Sequence, residues 1–151
     1  MVEDYSRCRQ VGLTSVQILA VDTVFHLWHI PSMAWEVEYT NEFGAWWDGL
    51  SIGEQKDVSL AVTLLEEKGP ALRRPHVGAI SNSRHANMKE LVIQHAGRPY
   101  RVLFAFDPQR TGILLIGGDK TGNNHWYEEF IPIADTLFAN HLKQVRGKKV
   151  T

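Results

Sequence analysis

The sequence predicts an α+β fold, in which a small, mostly antiparallel sheet is flanked by helices. Three strand-like runs follow one another over residues 91–118 with short turns between them, which is typical of an antiparallel meander. Two helical stretches come before this region, and one long amphipathic stretch comes after it. The chain has 151 residues, of which 44% are hydrophobic and 22% are charged, and this composition indicates one globular domain rather than a disordered chain.

The first elements are a strand and two helices. Residues 35–39 alternate apolar and charged side chains and predict a strand. Asn41 suits the cap of a short helix over residues 42–48. Ser51 and Glu54 have the spacing of a capping box at the start of a second helix, which Gly69 and Pro70 end. Together these helices predict an N-terminal helical hairpin.

The remaining elements are the meander and a C-terminal helix. Residues 70–87 are rich in Pro, Gly, Ser and Asn and are interpreted as a loop. The predicted strands cover residues 91–95, 100–106 and 113–118. From Tyr127 to Leu142, apolar residues recur every three or four positions, which predicts a helix that Pro132 either kinks or starts.

The limits of the domain are predicted from residue 33 to residue 151. Residues 1–32 show no cap, turn or sustained period, and are interpreted as an added helix, a disordered arm or an upstream extension. The apolar stretch 16–30 is short for a membrane span, and Asp22 and two histidines interrupt it, so no signal or membrane segment is predicted. Cys8 is the one cysteine, which excludes an intramolecular disulfide and indicates a cytoplasmic protein.

Charge is distributed unevenly along the chain. Its net charge is −1, but residues 33–72 carry −6 and residues 73–120 carry +5. A chain that is neutral overall can still present one basic surface to a polyanion such as RNA. The alternative is a set of solvated faces whose charges cancel.

Arg101 interrupts an apolar run and is the first candidate for chemistry. Alternation along the strand places it opposite the face that carries Tyr100, Val102 and Phe104. If that aromatic face packs on helices, Arg101 points to an open face, where a guanidinium is a good phosphate ligand. The alternative is a structural ion pair, for example with Glu90 on the neighbouring strand.

Further candidates lie at the end of the meander and near the basic loop. Residues 117–122 suggest a phosphate-binding loop but lack its spacing, so Lys120 is interpreted as a lysine at a strand end. His85 and His125 suit proton transfer near neutral pH. Trp126 or Tyr127 could stack on an unpaired base, although both also suit a core. No metal-ligand spacing and no serine-hydrolase motif occurs in the sequence.

Several short segments resemble a known family in their order and spacing. They are 42–43, 46–47, 64–66, 69–70, 74–77, 88–91, 97–108, 113–120, 126–127 and 131–135. On these segments, residues 33–145 resemble the RelE/HigB superfamily of type II toxins, especially its phage-derived branch. Residues 1–32 fall outside the resemblance.

The resemblance implies a metal-independent endoribonuclease that cuts mRNA, typically on the ribosome, and needs no cofactor. It also implies inhibition by a cognate antitoxin, often a helix-turn-helix protein, and a RelE/ParE-like sheet flanked by helices. Arg101 and Lys120 would stabilise phosphate charge, Tyr127 falls near a tyrosine of some members, and His85 or His125 would move a proton. The residues expected to bind RNA are Arg73, Arg74, Arg84, Lys89, Arg98 and Trp126.

One position departs from the family pattern. Members often carry Arg or Lys two residues after Glu90, where this chain has Val92. The site is then weak, inactive, or supplied with a cation by Arg98 or Lys89. Two other functions therefore stay open: a ParE-like inhibitor of DNA gyrase, and an inactive toxin remnant that only binds an antitoxin.

Overall fold

The computed structural model describes residues 34–150, and the predicted N-terminal extension lies outside the described residues. Five strands, three α-helices and one short 3-10 helix (Gly69–Ala71) follow one another along this part of the chain. In chain order the strands and α-helices are β1 (Val37–Tyr39), α1 (Asn41–Asp48), α2 (Ile52–Lys68), β2 (Val77–Ala79), β3 (Lys89–His95), β4 (Arg98–Phe106), β5 (Gly112–Asp119) and α3 (Trp126–Val150).

The five strands form one mixed sheet in the order β1-β5-β4-β3-β2. The strands β2 to β5 pair antiparallel, as the short turns between β3, β4 and β5 predict. At the other edge β1 pairs parallel with β5. The α+β fold class and the antiparallel meander are therefore confirmed.

Local sequence explains where the first two helices begin. The Thr40 hydroxyl accepts a hydrogen bond from the Phe43 N–H (3.0 Å), so Thr40 caps α1 and the predicted cap, Asn41, is its first residue. The Ser51 hydroxyl accepts from the Glu54 N–H (3.2 Å), and the Glu54 carboxylate accepts from the Ser51 N–H (2.7 Å). This reciprocal pair is the predicted capping box.

Each face of the sheet is covered by different helices. On one face, here the α1–α2 face, Tyr100, Val102 and Phe104 of β4 pack with residues of α1 and α2 such as Trp47 and Leu65. On the other face, here the α3 face, side chains such as Leu103 and Phe138 form a second buried cluster. The alternation of β4 therefore divides its side chains between two cores.

Two features differ from the sequence prediction. The interpretation of residues 70–87 as a loop is wrong at Val77–Ala79, because these residues pair with β3 as strand β2. The predicted helical hairpin is not confirmed. The helices α1 and α2 follow one another along the chain, but α1 packs against β5 and α2 packs against β3. Within residues 34–150 there is no helix with the length and apolar character that crossing a membrane requires.

Candidate active site

Arg101 lies on the α3 face of β4, opposite the aromatic side chains, as the alternation predicts. It pairs with Val92 of β3 and Gly118 of β5 across the sheet. Its side chain is not on an open surface, since only 17% of it is exposed and its Nε lies 3.4 Å from the Glu90 Oε1. The prediction of an open face is therefore wrong, and the alternative ion pair with Glu90 is present.

Glu90 joins Arg101 to the first turn of α3. The Tyr127 hydroxyl donates a hydrogen bond to the Glu90 Oε1 (2.6 Å), the same oxygen that faces Arg101. The Lys120 Nζ lies 5.5 Å from the centre of the Tyr127 ring, within the range of a cation–π contact. Arg101, Glu90, Tyr127 and Lys120 therefore form one group, here called the Arg101 cluster.

The geometry of β5 and α3 brings Lys120 to this cluster. Lys120 follows the last residue of β5, and its N–H donates to the Pro99 carbonyl at the start of β4 (2.9 Å). Six residues later α3 begins, and Tyr127 is its second residue. The end of β5 and the start of α3 thus lie close together, with Lys120 beside Tyr127.

Arg74 approaches Glu90 from the β2 side. A Cβ built at Gly78 would lie 3.1 Å from the Glu90 Oε2 and 3.2 Å from an Arg74 guanidinium nitrogen. Gly78 pairs with Glu90 across β2 and β3, so both side chains pass over the position that the glycine leaves free. The Glu90 carboxylate and the Arg74 guanidinium therefore both lie over Gly78.

Burial and hydrogen bonding fix the protonation of Tyr127. Removal from water raises the pKa of the Tyr127 phenol, and the hydrogen bond that it donates to Glu90 raises this pKa further. Arg101 acts in the opposite direction, but more weakly. Tyr127 therefore keeps its proton at neutral pH and acts as a donor.

The two predicted histidines lie in different places. The His85 ring packs edge-on against Phe138, and its Nε2 lies 3.3 Å from the Asp135 carbonyl, in the third turn of α3. Asp135 is eight residues beyond Tyr127, or about 12 Å along the helix, so His85 is separated from the Arg101 cluster. His125 directly precedes α3, is 76% exposed, and places its Nδ1 2.5 Å from the Glu128 carboxylate.

The structure separates the predicted RNA-binding residues into two groups. Arg73 and Arg74 are exposed beside β2, and Arg84 is 69% exposed beside α3. Arg98 lies on the α1–α2 face, where it pairs with Asp119 (3.0 Å) and Glu54 (3.5 Å). Lys89 alternates with Glu90 along β3 and so also points away from the Arg101 cluster.

Trp126 corrects another prediction. Its side chain is 1% exposed, stacks on Phe130 with 4.7 Å between ring centres, and lies against Gly118. No face of the indole is available to an RNA base. Trp126 is therefore a core residue, which is the alternative that its sequence context allowed.

Sequence reasoning missed two carboxylates with structural roles on this face. Asp135 is 3% exposed and accepts hydrogen bonds from the Ser83 hydroxyl (2.5 Å) and the Arg84 N–H (3.0 Å). Asp107 accepts from the Gln109 and Thr111 N–H groups and lies 2.8 Å from the His141 Nε2. The partners of Asp135 are about 50 residues away in the sequence, so it has no local signal. The Asp107 contacts to Gln109 and Thr111 are local turn contacts, whereas its contact with His141 is distant. Across the described residues, no group of three or more His, Cys, Asp or Glu could hold a metal ion.

Comparison with known proteins gives a consistent family. Residues 45–139 match the family model described as Phage derived protein Gp49-like (DUF891). The chain is 43% identical over 120 residues to Putative toxin HigB2 of Mycobacterium tuberculosis (strain ATCC 25618 / H37Rv). The aligned region covers 78% of this chain and 59% of that relative. It is 47% identical over 103 residues to Putative toxin HigB3 of the same organism, which covers 68% of this chain and 89% of that relative.

The matches cover most of the described fold. The chain spans about three fifths of the length of HigB2 and most of the length of HigB3. No solved structure matches it. The family match includes α2, the whole antiparallel meander and the first turns of α3, and so all four residues of the Arg101 cluster. The chain therefore belongs to the phage-derived Gp49-like family.

Proposed function

We propose that this protein is the toxin of a type II toxin–antitoxin system, and that it cuts mRNA without a metal ion at the Arg101 cluster. Its similarity to proteins named as putative HigB toxins supports the assignment as a toxin. The observation that supports ribonuclease activity is that two cations, Arg101 and Lys120, lie close to Tyr127 on the α3 face. An RNA phosphate bound there would contact positive charge and a protonated phenol together.

The proposed reaction is attack of a ribose 2′-oxygen on the adjacent phosphorus, with loss of the 5′-oxygen of the next nucleotide. It needs a proton acceptor for the 2′-hydroxyl and positive charge for the phosphorane oxygens. Arg101 and Lys120 supply the charge. Glu90 is the carboxylate that contacts both Arg101 and Tyr127, so it is assigned as the acceptor of the 2′-hydroxyl proton.

Tyr127 and His125 complete the proposed mechanism. Because its raised pKa keeps Tyr127 protonated, its hydroxyl can donate a hydrogen bond to a phosphate oxygen once RNA displaces it from Glu90. His125 is exposed and lies two residues before Tyr127, so it is assigned the proton that the leaving 5′-oxygen receives. His85 is held against Phe138 and Asp135 and is given no catalytic part.

The test is induction of the full chain in a sensitive bacterium, with growth measured and RNA 5′ ends mapped. The wild type is expected to stop growth and to create new 5′ ends in mRNA, and the purified protein is expected to cut RNA in the presence of EDTA. Arg101→Ala is expected to slow cleavage about a hundredfold, the loss typical of one charge-stabilising donor. Arg146→Ala, an exposed arginine far along α3, is the matched control and is expected to remain toxic.

A second variant separates loss of chemistry from loss of fold. Arg101→Ala leaves the Glu90 carboxylate buried without its cation, and breaking such a pair can cost about 3 kcal/mol of stability. Arg101→Lys keeps the charge but loses the planar donor pair, and is expected to fold and to retain partial activity. Full toxicity of a soluble, folded Arg101→Ala protein would refute the assignment.

The second candidate function is an inactive remnant that binds an antitoxin. It is favoured by the ion pair itself, since Glu90 neutralises Arg101 in the resting structure. Normal growth and intact transcripts with soluble wild-type protein, together with retained antitoxin binding, would support this candidate. Accumulated DNA cleavage complexes with unchanged mRNA would instead support a gyrase inhibitor.

A further inference from the structure

A groove runs beside α3, and the reaction proposed for the Arg101 cluster gives it no role. It has a volume of about 450 Å³ and lies between the loop before β3 and the outer side of the helix. Its lining includes Asn82 and Arg84 on the loop side, and Tyr127, Glu128, Pro132 and Thr136 on the helix side. A volume of this size is in the range of small-molecule sites.

The loop wall of the groove is fixed by a buried carboxylate. Asp135 is 3% exposed and accepts hydrogen bonds from the Ser83 hydroxyl and the Arg84 N–H, and its Oδ2 lies 3.7 Å from the Arg84 Nε. A buried carboxylate with these partners holds residues 83 and 84 against α3. The groove is therefore formed before any ligand binds.

Tyr127 connects the groove to the proposed cleavage site. Its side chain lines the end of the groove, while its hydroxyl donates to Glu90 in the Arg101 cluster. From Tyr127 to Thr136 the helix advances by about 13 Å. An RNA strand whose phosphate sits at the Arg101 cluster can therefore place the base of a neighbouring nucleotide in the groove.

The lining suits a nucleobase better than a phosphate. Pro132 and the neighbouring Ile131 offer apolar contact to the face of a ring, and Asn82 and Thr136 can donate to and accept from its edge. Glu128 would repel a phosphate. Its Oε1 contacts the His125 Nδ1, and its other oxygen can accept a hydrogen bond from an exocyclic amino group. Arg84, at the exposed rim, can contact the RNA backbone.

We propose that this groove holds one unpaired nucleobase of the RNA next to the cleaved bond, with a preference for a base that has an amino group. The proposal rests on the ribonuclease function argued above and adds its sequence preference. It makes Glu128 and Asn82 specificity-determining residues. Asn82 changes where the protein cuts rather than whether it cuts, whereas Glu128 also contacts His125.

The first test compares cleavage by full-length Glu128→Gln, Asn82→Ala and wild-type protein on a randomised RNA pool. The wild type is expected to cut beside adenine, cytosine or guanine about tenfold better than beside uracil at one position, since a good base contact gives discrimination of this order. Asn82→Ala is expected to lose this preference and still to cut. Glu128→Gln is expected to lose the preference and also to cut more slowly, because Glu128 contacts the His125 Nδ1. Asn140→Ala, an exposed asparagine on α3 outside the groove lining, is the matched control and is expected to cut as the wild type does.

A second measurement separates failure of the groove from failure of the ribonuclease. Short RNA strands with 2′-deoxyribose at the central position cannot be cut, and their binding is followed by fluorescence anisotropy for each of the four central bases. Wild-type binding that depends on the central base, and that Glu128→Gln makes uniform, supports the groove even if no RNA is cut. Cleavage with an unchanged preference in both variants, or wild-type binding that is the same for all four bases, overturns the proposal.

Discussion

Replacing Glu54 with glutamine should remove a pH-dependent part of the stability of the fold. Glu54 lies in the first turn of α2, where its Oε2 accepts a hydrogen bond from the buried Tyr100 hydroxyl and faces Arg98 at 3.5 Å. The Tyr100 hydrogen bond, followed by the Ser51 N–H, lowers the pKa of Glu54 from 4.5 to about 2. Glutamine can still complete the capping box, so the variant chiefly removes the charge.

The size of the effect follows from the pKa. A shift from 4.5 to about 2 corresponds to about 3 kcal/mol of stability from the ionised carboxylate, at 1.36 kcal/mol for each pKa unit. Because the folded pKa is the lower one, this stability is complete above pH 4.5 and is lost as the pH falls towards 2. At pH 3 about half of it, or about 1.5 kcal/mol, remains by the same linkage.

Urea unfolding, followed by tryptophan fluorescence at pH 7, 5, 4 and 3, measures this difference. Glu54→Gln is expected to unfold with about 2–3 kcal/mol less free energy than the wild type at pH 7, and the gap is expected to narrow steadily below pH 5. Glu67→Gln, at an exposed position of the same helix, is the control. A gap that stays constant from pH 7 to pH 3 would show that the charge of Glu54 does not stabilise the fold.

Further predictions concern Tyr100 and two glycines, one packed against Trp126 and one in open space. Burial and the Glu54 hydrogen bond raise the pKa of Tyr100 to about 12, so an ultraviolet titration should lose its step near pH 12 in Tyr100→Phe; an unchanged curve would contradict this. The stability that this phenol gives is complete below pH 10 and is lost as the pH rises towards 12. Gly118→Ala should lower the free energy of unfolding by about 1–3 kcal/mol, because its Cβ would lie 2.6 Å from the Trp126 Nε1. Gly147→Ala, in open space within α3, should raise that free energy by about 0.5–1 kcal/mol, and equal thermal stability of the two variants would refute the packing argument.

Local sequence patterns predicted the elements that depend on local chemistry. The capping box of Ser51 and Glu54 gives the start of α2, because both hydrogen bonds are made within one helical turn. Alternation along β4 gives the face on which Arg101 lies. In both cases the physical cause is contained in a few consecutive residues.

Features that depend on distant pairing escaped prediction. Strand β2 has only three residues within a segment rich in Pro and Gly, and it is a strand because it pairs with β3. The burial of Trp126 and the partial burial of Arg101 depend on where α3 crosses the sheet. The periodicity of α3 shows which of its sides is apolar, but not where along the strands the helix lies.

The structure also shows what a lysine or arginine at position 92, in place of Val92, would face. Val92 is the direct neighbour of Arg101 across β3 and β4, so a lysine or arginine there would place two like charges opposite each other, which destabilises a sheet. Arg98 and Lys89 do not replace this cation, because they lie on the α1–α2 face, away from the Arg101 cluster.

Arg74 is the cation that lies beside the cluster on the β2 side, since its guanidinium and the Glu90 carboxylate both lie over Gly78. In the proposed reaction, a phosphate competes with Glu90 for Arg101, and Glu90, once released, is free to accept a proton. The carboxylate that neutralises the resting site is thus also the group that the proposed reaction requires.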